Sequence, residues 1–378
     1  MALTDKLTAI GDAVRGKTGE SEKLTLDGIA EKIRSMPAPM QKITISGNIS
    51  GLFSEKFMEL YNNNLKDYVE FKDVTQCIGL IPNMPSSIYT GSGSSYRGQK
   101  VEDLSNIVIN FKENTWTSSS NMFENAKFLK KLPKLVNFQP DSLYHFFQFC
   151  ENLQEIPEDF YKDWKIGNYT SQNAMFGNCH SLRKAPIGLL KKLQNIDYPN
   201  YYDCYSYVCF ISCYKLPEVL NFPFPKHFSG GTWANPFDQF VYETYSLSRF
   251  TFEPEAADVV HKIYNSITLD FTEKVGYGYG EGFRSDKRIS DAESYATLKN
   301  DPDSWTSNLE YCKYNKTSAV ETINSLPVVQ KASSTDDNTF IIKFKGNAGS
   351  ATDGGAINTM TEEEIAVATS RGWTVTFK

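Results

Sequence analysis

Residues 175–182 read MFGNCHSL, which sets Cys179 beside His180. A thiol next to an imidazole is the raw material of nucleophilic catalysis, because the base can draw off the thiol proton. Cys204, Cys209 and Cys213 also stand close together, and thiolates bind zinc. Zinc sites, however, use paired short spacings and four ligands, and the nearest histidine, His227, is distant. No metal is therefore expected. Residues 275–282, VGYGYGEG, are as rich in glycine as a phosphate-cradling loop. The Lys-Ser/Thr pair and the flanking strand and helix of such a loop are missing, so a Tyr-bearing loop is expected. Asp301, Asp303, Asp336, Asp337 and Asn338 offer oxygen ligands without the alternation and closing Glu of a calcium loop, and they read as turns. The other carboxylates cannot be paired into a glycosidase site from sequence, since that pairing is spatial.

Tyr198 to Tyr207, YPNYYDCYSY, holds five tyrosines. Tyr combines a large apolar ring with a polar tip and few rotamers, which suits recognition. Tyr201, Tyr202, Tyr205 and Tyr207, with Trp233 further on, are the candidate ligand-face residues. The competing reading is that these rings cover a wide core, and the sequence leaves both open.

Elements must position these groups, and composition bounds them. The chain has 378 residues, 40% hydrophobic and 22% charged, so a packed core is expected. The net charge of −6 shows no basic stripe and argues against nucleic acid as a partner. Asp5 and Asp12 interrupt the N-terminus, so it does not read as a signal peptide. No apolar run approaches the roughly 18 residues of a membrane helix. Without an export signal, the seven cysteines read as reduced thiols.

Residues 1–38 read as two short amphipathic helices. Leu7, Ile10 and Val14 lie on the apolar side of the first, and Ile29 and Ile33 on that of the second. Such helices bury too little area alone and need a partner surface. Residues 39–104 read as an α/β region, with a strand in QKITIS and a helical turn before Tyr61.

A repeat organises the middle of the chain. NMFENAKFLKKLP (121–133), HFFQFCENLQEIP (145–157), AMFGNCHSLRKAP (174–186) and VCFISCYKLP (208–217) align on Phe123, Phe147, Phe176 and Phe210. Three residues later stand Ala126, Cys150, Cys179 and Cys213, and six later Leu129, Leu153, Leu182 and Leu216. The Phe residues are 24, 29 and 34 apart, and a degenerate fifth unit is expected between Phe240 and Phe252. A period of this length means stacked supersecondary units, each a helical turn and a short strand. Cys179 then occupies a slot for a small apolar residue. His180 aligns with Lys127, Glu151 and Tyr214, in a slot expected to face solvent. The dyad reading fails on this alignment.

The pattern MFxNCxxLxxxP resembles the BspA-like leucine-rich repeats over about residues 105–252. The insertion at Tyr198–Tyr207 and Ala126 depart from it. The N-terminal segment and the C-terminal FKGNAGSATDGGAINTMTEEEIAVATSRGWTVTF resemble end modules of phage tail and fibre proteins. The resemblance implies an α+β fold: an irregular leucine-rich-repeat solenoid with short parallel strands over 105–265, an N-terminal helical attachment segment and a C-terminal repeat and capping region over 266–378. In the cap, Thr361 and Glu364 form a capping box ahead of Ile365 and Ala368, and Gly372 ends the helix. It implies a non-enzymatic virion structural protein, released by lysis and without cofactors. Its partners would be other virion proteins through the N-terminus and a host-surface glycan or protein through the solenoid. A homo-oligomer stays open, as do a head-decoration protein, a bacterial surface adhesin and a glycan depolymerase.

Overall fold

The computed structural model describes residues 42–82, 99–167, 171–198, 203–228, 235–256, 258–264, 266–272, 314–333, 338–346 and 357–378, with Gly28 and Val275. The expected attachment helices, with Leu7, Ile10, Val14, Ile29 and Ile33, lie outside the described residues. Within them the chain is mixed α/β. Its short strands pair only in parallel and form no closed barrel.

The aligned segments are turns stacked one on the next. Phe123, Phe147, Phe176 and Phe210 are fully buried, as are the leucines six residues on. Their rings stack face to face, with centroids 5.3, 5.8 and 5.7 Å apart. Two residues before each ring and two after it, the backbone is left-handed. These are Asn121 and Asn125, His145 and Phe149, Ala174 and Asn178, Val208 and Ser212, with φ between 50° and 61°. The two reversals aim successive amides at the neighbouring turn. Phe123 N donates to Phe146 O (2.9 Å), Phe147 N to Met175 O (2.9 Å) and Phe210 N to Phe240 O (2.8 Å).

The fifth turn carries the same pair of left-handed residues, Gln239 and Glu243. They flank Val241, so Val241 takes the ring position and Leu247 the leucine position, both buried. Two further turns precede the first aligned segment. Gly51 and Gly79 are left-handed two residues ahead of Phe53 and Ile81. Gly51 N donates to Gly79 O (2.6 Å) and Gly79 N to Asn121 O (3.0 Å).

Between turns the chain forms strands or helices. β1 (Ile43–Asn48), α1 (Glu55–Leu60), β2 (Val69–Gln76), β3 (Val108–Phe111) and β4 (Lys134–Val136) come first. The strands form one sheet in the order β1-β2-β3-β4, which crosses the boundary expected at residue 104. Each unit was expected to carry a short strand, but in the second and third units a helix follows directly on the Pro. α2 (Glu158–Tyr161) and α3 (Ile187–Leu193) stand there. Pro157 and Pro186 sit at their N-caps. Glu158 and Asp159 suit the positive helix start, and Leu189, Leu190 and Leu193 give α3 a buried side at helical spacing. The strand position then returns. β5 (Asp197–Tyr198) pairs with β7 (His227–Phe228), and β6 (Glu218–Phe222) with β8 (Arg249–Phe252).

β9 (Val260–Ile263) pairs with β11 (Val328–Lys331), and β10 (Ile267–Asp270), β12 (Phe340–Phe344) and β13 (Thr374–Phe377) make a three-stranded sheet. α4 (Lys316–Ser325) covers the outer edge of β8. Thr322 Oγ1 donates to Phe250 O (2.7 Å), and Ser325 Oγ accepts from Phe252 N (2.9 Å). α5 (Glu362–Ser370) starts on the expected capping box of Thr361 and Glu364. It ends at Gly372 (φ 88°), where a Cβ would stand 2.3 Å from Val329 O, a place only glycine fits. Buried side chains from Ile43 to Trp373 form one cluster. Among the described residues no helix is long and apolar enough to cross a membrane.

Val208 is β-branched, and left-handed backbone costs such a residue about 1–2 kcal/mol. Val208→Asn is therefore expected to raise stability by about 1 kcal/mol, read as an upward shift of the urea midpoint with an unchanged slope. An unchanged or lower midpoint would count against this geometry of the turn.

Candidate functional site

Cys179 and His180 do not assemble into a dyad. Cys179 is fully buried, and its Sγ donates to Phe147 O of the preceding turn (3.1 Å). Burial pushes this thiol well above the usual cysteine range, which denies it the thiolate a nucleophile needs. The same bond recurs from Cys150 Sγ to Phe123 O (3.2 Å) and from Cys213 Sγ to Phe176 O (3.2 Å). In the fifth turn Thr244 Oγ1 makes it to Phe210 O (2.9 Å). The slot expected to want a small apolar residue thus wants a small donor. Thr244 at that offset was the available signal. Burial also raises Cys204 to about 12 and moves Cys150, Cys209 and Cys213 upward.

The slot expected to face solvent is half-closed, because each side chain in it reaches its equivalent in the next turn. Lys127 Nζ lies 2.9 Å from a Glu151 carboxylate oxygen, with both side chains under 15% exposed. The other Glu151 oxygen is 3.9 Å from His180 Nδ1. His180 stacks on Tyr214 (4.4 Å, 13°), which meets Tyr245 (5.6 Å, 41°). Lys127, Glu151, His180, Tyr214 and Tyr245 therefore make one contacting row across five turns, with Tyr214 itself buried.

A second polar cluster lies on the first two aligned turns. Asn121 Nδ2 donates to Glu124 (2.7 Å), Glu124 Oε1 is 3.5 Å from His145 Nδ1, and His145 stacks under Tyr144 (3.7 Å). The His145 hydrogen bond holds the Glu124 carboxyl below the usual glutamate range, against desolvation.

Of the candidate ligand-face residues, Tyr201, Tyr202 and Trp233 lie outside the described residues. Tyr207 is half-buried. Tyr205 is in the core, fully buried, with its hydroxyl donating to Pro223 O (2.5 Å). A ring held that way meets Phe222, not a ligand. The Gly-rich loop, apart from buried Val275, and Asp301, Asp303, Asp336 and Asp337 lie outside the described residues, and Asn338 donates to Tyr264 O. Among the described residues no group of three His, Cys, Asp or Glu side chains gathers to hold a metal.

Grooves also lie among the described residues. One of about 790 Å³ runs along the outer edge of β4 toward α2, with five lysines on its walls. One of about 680 Å³ is lined by residues of β8, α4 and the end of α5; there Arg249 pairs with Glu321 and Glu218. One of about 560 Å³ lies beside α1. Compared with known proteins, the chain matches no family model, no curated protein and no solved structure.

Cys213→Thr and Cys213→Val differ from each other only in a hydroxyl, and the Thr variant is expected to be more stable by about 1 kcal/mol in urea unfolding. Equal stabilities would show that the thiol acts by size alone. Glu124 has a depressed folded pKa, so it contributes stability above its ordinary value of about 4.3, and that contribution is lost as pH falls through the lower folded value. The stability difference between the protein and Glu124→Gln is expected to shrink over that acid window. A constant difference would remove His145 as the cause.

Proposed function

We propose that the chain is a non-enzymatic phage virion structural protein, tail-associated, that binds a host-surface glycan or protein through an irregular leucine-rich-repeat solenoid. The observation that carries this reading is the donor slot. Cys150, Cys179, Cys213 and Thr244 all spend their reactive hydrogen on a neighbouring turn. The repeat is then a scaffold, and contact falls to the side chains that point outward from it. The N-terminal helices would bind other virion proteins, and the capping helix α5 would close the far end. The virion setting rests on the resemblance of the two end segments. The protein would be made in the host cytoplasm and released by lysis.

The test is immunogold electron microscopy on particles from a lysate of the source culture. Gold at the tail tip or baseplate is the expected result. Gold on the head would move the protein to capsid decoration, and gold only on intact cells would make it an adhesin. Release of reducing sugar from host polysaccharide by the purified chain would overturn the non-enzymatic reading.

A further inference from the structure

We draw no further inference here: the strongest candidate, the exposed apolar patch at β9 (Val259, Val260 and Tyr264), whose Val259 also lines the groove of about 680 Å³, carries none because nothing in the structure shows what covers it.

Discussion

Everything in the repeats hangs on one acceptor, the carbonyl of the residue at the ring position. The carbonyl oxygens of Phe123, Phe147, Phe176 and Phe210 each take two hydrogen bonds. Phe147 O accepts from Cys150 N (3.0 Å), closing its own turn, and from Cys179 Sγ of the next. Phe176 O accepts from Cys179 N (3.2 Å) and from Cys213 Sγ, and Phe210 O from Cys213 N (3.1 Å) and Thr244 Oγ1. A buried carbonyl has two lone pairs and no water, so the turn and the stack are satisfied at the same atom. This also explains the spacing. The thiol must sit three residues after the ring to reach the oxygen below it, and the leucine three further on to fill the space under the next loop. Ala126 lacks a donor, and it heads the run of aligned segments.

The same constraint orders the rest of the chain. The left-handed residues on either side of each ring aim amides at the neighbour, and this places the rings in register at under 6 Å. The segment after each turn is less constrained, so it differs from unit to unit: strand at β4, helix at α2 and α3, strand again at β6 and β8. Where the strand lapses, the sheet acquires an edge. At β8 that edge is met by hydroxyls from α4, and the Arg249–Glu321 pair fastens the helix beside it, an exposed contact worth little alone. At β4 only a short helix stands opposite.

Each residue type signals a different part of this architecture. Phe, Cys, Leu and Pro at fixed offsets mark four turns directly, because burial and chain reversal restrict those positions to few types. The turns at Gly51 and Gly79 are invisible to that pattern, since neither has a thiol at the third offset. Their link to the others is a shared backbone conformation. Glycine, and asparagine at Asn121, Asn125 and Asn178, hint at it, but His145, Ala174 and Val208 do not. The helices α2 and α3 escape the pattern because a short apolar run after Pro reads equally as strand or helix. Tyr205 is misleading for a related reason. An insertion rich in tyrosine looks like a contact surface, yet one ring is consumed by the core and satisfied by Pro223 O. The capping box and terminal strand near residue 370 are legible, since their determinants are local.

The five turns differ in which positions keep their chemistry. Positions tied to a neighbour repeat their chemistry: four rings and a valine, then three thiols, a hydroxyl and an alanine. The row of Lys127, Glu151, His180, Tyr214 and Tyr245 is different, since no two adjacent members are alike until the last pair. These side chains contact one another, and their identity differs from turn to turn. The row thus varies in charge and shape, while the ring and donor positions hold the stack. A scaffold built this way holds its turns together through the ring and donor positions and leaves the neighbouring row to vary.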